Sequence, residues 1–108
     1  MSSIFRVINF PAVLDSIMAT QLHQEIQALV EAGVKIVLLD LKDVEFINSS
    51  GLMALVVALR TVRNAGGKLC ICSINEQVKL LLELTGVDQV FEIFTSLDEF
   101  NNIVLMKT

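Results

Sequence analysis

The run Lys35-Ile-Val-Leu-Leu-Asp-Leu41 restricts the fold more than any other stretch of this chain. Its apolar residues are nearly continuous instead of alternating, which marks a strand buried on both sides, in the middle of a sheet whose two faces are covered. The neighbouring segments fit that role. Ile4–Phe10 reads as a strand with a partly polar face, ended by Pro11, and Lys68–Ile74 and Val90–Phe94 read as a third strand and a short fourth. Helix patterns fill the intervals. Leu22, Ile26, Leu29 and Val30 recur at helical spacing up to a stop at Gly33, and a second helix runs from about Ser50 to Ala65, stopped by Gly66-Gly67. A Ser73-x-x-Glu76 capping box opens a third, which carries Val78, Leu81 and Leu82 to Gly86, and Ser96-x-x-Glu99 opens the last. Strand and helix alternate four times without internal repeats or linkers. The expected class is therefore α/β, with a mostly parallel sheet joined by right-handed crossovers.

With 108 residues, 54% hydrophobic and 19% charged, residues 1–108 are expected to form one domain around one core. The formal net charge is −4 and the eight Lys and Arg are scattered, so no face offers the basic footprint that nucleic acid or an anionic membrane requires. Protein partners are the default. The N-terminus lacks a cationic segment followed by an apolar run, and the longest uninterrupted apolar run, Leu52–Leu59, is far short of the roughly 20 residues that span a bilayer. The expectation is a cytosolic protein with no membrane insertion.

No catalytic constellation is visible. Cys70 and Cys72, two apart on one strand, point to the same face and read as small buried hydrophobes, since zinc would need two further ligands and the one His, His23, is far away. A serine hydrolase would place its nucleophile on a G-x-S-x-G elbow with a His downstream, whereas Ser49-Ser50 lacks the upstream Gly and His23 precedes it. Gly66-Gly-Lys-Leu69 lacks the spacing of a P-loop. The chain is expected to need no cofactor and no metal, and to be a substrate of enzymes rather than an enzyme.

One junction does carry chemistry. In Phe46-Ile-Asn-Ser-Ser-Gly-Leu52 a hydroxyl pair stands where a strand ends and an apolar helix begins, at the positive end of the helix dipole. Counting 100° per residue from Leu52 puts Leu52, Leu55, Val56, Leu59 and Val62 on the core arc and Met53, Ala54 and Val57 on the outward one. Extended backwards, the same count turns Ser50 to solvent and Ser49 closer to the core. Two readings stay open on residue chemistry: an anionic switch at Ser50, beside an apolar patch that serves as a docking surface, or an ordinary Asn-Ser-Ser cap that satisfies orphan amides.

The segments Val37-Leu-Leu-Asp40, Phe46-Ile-Asn-Ser-Ser-Gly-Leu52, Gly66-Gly-Lys-Leu69 and Val78-x-x-Leu-x-x-Leu-x-Gly86 together resemble the anti-sigma factor antagonist, or STAS, domain over essentially the whole chain. That resemblance implies partner switching in transcription regulation. The unmodified protein would bind an anti-sigma factor with serine kinase activity, phosphorylation of Ser50 would release it, and a metal-dependent serine phosphatase would reset it. It places Asn48, Ser49 and Gly51 around the phosphosite, with Asn48 where the family usually carries Asp, and Asp15, Met53 and Val57 on the partner-binding side. The expected architecture is a STAS-like sheet of the four strands read above, with five as the alternative. Many family members have an extra edge strand before Ile4, for which the sequence leaves no room, so an exposed edge could pair with a second copy as a homodimer. The alternative function is a STAS binding subunit of a signalling or transport complex that does not switch.

Overall fold

The computed structural model describes residues 5–89 and 91–105. In chain order the elements are β1 (Phe5–Asn9), β2 (Val13–Leu14), α1 (Ser16–Glu31), β3 (Ile36–Asp40), β4 (Phe46–Ile47), α2 (Ser49–Asn64), β5 (Lys68–Cys72), α3 (Glu76–Thr85), β6 (Glu92–Phe94) and α4 (Leu97–Phe100). A 3₁₀ turn at Val87–Gln89 precedes β6, and α4 runs into a π-helical turn at Asn101–Leu105. The alternation expected from sequence is present. Ile4 and Val90, assigned above to strand ends, lie outside the described residues.

Among the described residues the main sheet has four strands in the order β1-β3-β5-β6, every pair parallel, as the four-strand expectation has it. β3 is interior, as its unbroken apolar run requires, and Val37, Leu38 and Leu39 are all fully buried. Successive residues of β3 serve opposite faces. Val37 and Leu39 join Leu69 and Ile71 of β5 in a core completed by Leu22 and Ile26 of α1, Leu55, Leu59 and Val62 of α2, and Val78 and Leu82 of α3. Leu38 faces the other way, with Cys70, Cys72 and Phe94, and is closed over by Phe100 of α4. The Phe100 ring meets Phe94 edge-on at 5.6 Å and Phe5 at 6.0 Å, so a four-residue helix covers that face with one aromatic side chain.

A second ribbon was not foreseen. β2 and β4 pair in parallel, Val13 with Phe46 and Leu14 with Ile47, outside the main sheet. Two residues per strand give no periodicity to read, and only the closeness of the two strand-to-helix crossings in space creates the ribbon. It matters because β2 leads into α1 and β4 leads into α2, so the ribbon ties the N-termini of those helices together.

The helix ends show which sequence signals held. Gly86 caps α3 in the left-handed conformation (φ 76°), and Gly33 and Gly66 follow α1 and α2 with φ 85° and 82°. The Glu99 N–H donates to Ser96 Oγ (3.1 Å) while Glu99 Oε1 accepts the Thr95 N–H (2.7 Å), a capping box shifted by one residue on its return bond. The Ser73-x-x-Glu76 box does not form. Ser73 has φ 64°, outside the extended conformation a cap needs, and Asn75 caps α3 instead by accepting the Val78 N–H (2.8 Å). The Asn75 side-chain amide also donates to the Val44 carbonyl (2.8 Å), a tertiary bond made by the same side chain that caps α3. β5 accordingly stops at Cys72 instead of Ile74.

Candidate functional site

α2 begins one residue earlier than the sequence count placed it, because Asn48 is the cap. Its Oδ1 accepts the Gly51 N–H at 2.9 Å, and its carbonyl accepts the Leu52 N–H at 2.9 Å. Ser49, Ser50 and Gly51 are thus the first three helical residues. Both hydroxyls are exposed, which corrects the expectation that Ser49 turns towards the core. The wheel fails there because the core-facing place in the first turn is taken by Gly51, which is buried. A Cβ on Gly51 would lie 2.2 Å from the Leu14 carbonyl oxygen, so the start of α2 packs directly on the backbone of β2. Further along, Leu55, Ala58, Leu59 and Val62 are buried as a stripe, while Leu52 and Val56, expected in the core, are half-buried.

Asp15 caps α1, accepting the Ile17 and Met18 N–H groups at 3.1 and 3.2 Å. It follows Leu14, whose carbonyl also accepts the Asn48 N–H (3.3 Å), so the two helix N-termini stand side by side. One is capped by a carboxylate. The other has a neutral cap and no acidic residue in its first turn, which leaves its positive end uncompensated by side chains of its own helix.

Between α1 and α2 lies a groove of about 630 Å³. Ala19 on α1 and Ala54 and Ala58 on α2 line its floor, and their short side chains are what leave the space open. Met53 and Val57, the expected outward residues, stand on its side with 60% and 37% of their surface exposed. Ser49 and Ser50 line the end where α2 begins, and Thr20 and His23 contribute polar atoms from α1. No Lys, Arg, Asp or Glu lines the groove. Of the residues singled out from sequence, the structure gathers Ser49, Ser50, Met53 and Val57 on this one surface. Asn48 and Gly51 anchor the start of α2, and Asp15 sits beside it as a cap without lining the groove.

Sequence reasoning missed the α1 wall. Ala19, Thr20 and His23 form a run of small or uncharged residues on one flank of an otherwise polar helix surface, and that flank was the available signal. Among the described residues no group of three His, Cys, Asp or Glu could hold a metal, and no helix is long and apolar enough to cross a membrane. Cys70 is buried at the sheet's second face, and that burial pushes its thiol up to about 12. Burial raises Cys72 as well, against a hydrogen bond from Ser73 that lowers it, so burial disfavours the thiolate form of both sulfurs.

Residues 2–100 match the family model of the STAS domain. The chain belongs to the STAS family. Among STAS relatives, a Bordetella bronchiseptica protein named as an anti-sigma factor antagonist, BtrV, is 31% identical over 84 residues, 78% of this chain and 72% of that protein. Relatives of this kind are matched over 50% to 78% of their own lengths. The crystal structure of a Thermotoga maritima protein described as an anti-sigma factor antagonist superimposes with a TM-score of 0.76 at 28% identity, covering 92% of this chain and 87% of that one. A sulfate transporter family protein from Wolinella succinogenes reaches a TM-score of 0.84 at 16% identity, covering 96% and 88%, a likeness of fold alone. The same fold thus occurs in a protein described as an anti-sigma factor antagonist and in one of a sulfate transporter family.

Proposed function

We propose that this STAS domain, functioning as one unit over residues 1–108 in the cytosol, is an anti-sigma factor antagonist that switches partners through Ser50. The observation that carries this reading is the placement of an exposed hydroxyl at the mouth of an uncharged, largely apolar groove. In the unmodified protein the groove offers Met53 and Val57 as dry contacts for an anti-sigma factor, which also acts as the serine kinase. Phosphorylation adds about −1.5 to −2 charges at Ser50. The helix terminus tolerates that charge, with about 0.3–1 kcal/mol of stabilisation, while a partner closing over the groove would have to desolvate it. The fold is kept and the interface is lost. A metal-dependent serine phosphatase reverses the change, and neither nucleic acid nor a membrane takes part.

The test has two arms. Protein purified from its native cells should show an addition of about 80 daltons on a Ser50-containing peptide. In pull-downs, wild type and Ser50→Ala should retain the anti-sigma factor and Ser50→Asp should lose it. Native protein that is never modified, together with unchanged binding by Ser50→Asp, would favour the second reading, a constitutive STAS subunit of a signalling or transport complex. The shared fold with the transporter protein supports that second reading, as does the neutral Asn48 cap.

A further inference from the structure

Among the described residues nothing covers an apolar stretch on the outer face of α3. Leu80 and Leu84 lie one turn apart on one face, 55% and 77% exposed, and the polar Gln77 stands one turn before them on the same face. Phe46 of β4, 56% exposed, extends the stripe, because Phe46 and Gln77 line one depression and Gln77 and Leu80 line the next. The rim of these two depressions is charged, unlike the α1–α2 groove. Glu45, Glu76 and Glu83 stand against Lys79, three acids to one base, a net of −2.

We propose that the α3–β4 surface is a second docking site, separate from the Ser50 groove, for a cationic amphipathic helix of a partner protein. The charge chooses the occupant. A second copy of this chain would bring a rim of −2 against another of −2, whereas a helix with Leu or Phe on one face and Lys or Arg beside it would satisfy both the stripe and the rim. From Gln77 to Leu84 the face runs seven helical steps along α3, about 10 Å, so two to three turns of partner helix cover it. With one surface gated by Ser50 and the other not, the domain can hold one partner while exchanging another.

The ¹⁵N-labelled full chain, titrated with a 14-residue leucine–lysine helical peptide and followed by two-dimensional NMR, tests this directly. Saturable shifts should be confined to α3 and β4. Leu80→Ser with Leu84→Ser, both exposed and so harmless to folding, should weaken binding about tenfold or more, as should Glu76→Lys with Glu83→Lys. Raising salt from about 50 to 500 mM should weaken it several-fold, and Ser50→Asp should leave it unchanged. Absence of binding, shifts along the α1–α2 groove, or indifference to the leucine changes would each overturn the proposal. So would loss of binding in Ser50→Asp, or self-association through α3 without peptide.

Discussion

At Asn48 a carboxamide makes the cap hydrogen bond that a carboxylate could also make, but brings no charge to the helix end. Its Oδ1 satisfies the Gly51 N–H, so Asn48→Ala should cost about 1 kcal/mol in urea unfolding. Asn48→Asp should instead stabilise the unmodified protein by about 0.3–1 kcal/mol through the dipole. In that variant the stabilisation gained on phosphorylating Ser50 should shrink, because two anions would share one helix end; thermal melts of the four species read this out. Gly51 is constrained by space, not by backbone angles. Because a Cβ there would lie only 2.2 Å from the Leu14 carbonyl oxygen, Gly51→Ala must push α2 away from β2, at about 1–3 kcal/mol or more. A neutral effect on the melting temperature would mean that β2 and α2 are not apposed in solution.

Among the elements, α3 shows how local signals compete. Ser73-x-x-Glu76 is a sound capping box by sequence, but Asn75 offers a cap and a bond to the Val44 carbonyl in one side chain. Asn75→Ala should therefore cost about 1–2 kcal/mol, while Ser73→Gly should stabilise by up to about 1 kcal/mol, because Ser73 holds a left-handed backbone that glycine enters freely. The reverse order would restore Ser73 as the cap. α1 and α2 differ in another way: Ala19, Ala54 and Ala58 are short side chains along the groove between them. A helix pair with larger residues there would have closed it.

Across the whole molecule, two faces of one sheet have been finished differently. Three helices cover the first, and Phe100 closes over the second, where the two thiols lie. Cys70 is held protonated to about 12 in the folded chain, from an ordinary value near 9. Between those two values the native state keeps a proton that the unfolded chain gives up, so stability is full below pH 9 and falls as pH rises towards 12. Urea midpoints measured from pH 7 to 11 should hold level and then decline, and Cys70→Ala should reduce the alkaline decline after its own cavity cost is subtracted. A profile flat to pH 11 in the wild type would place that thiol in water.

Much of this architecture was legible in the chain itself. Continuous apolar residues at 36–39 fixed β3 as interior, period-3.6 stripes marked the helices, and glycines 33, 66 and 86 marked their ends, because burial and backbone sterics act on residues close in sequence. The place of Ser50 outside the core followed from the same periodicity. What only the tertiary structure decided was everything that joins distant segments: the β2–β4 ribbon, the approach of Leu14 to Gly51, Asn75 reaching Val44, and the α1 wall of the groove. Those features depend on which surfaces meet when helices settle on a sheet, and no repeat along the chain encodes such a meeting.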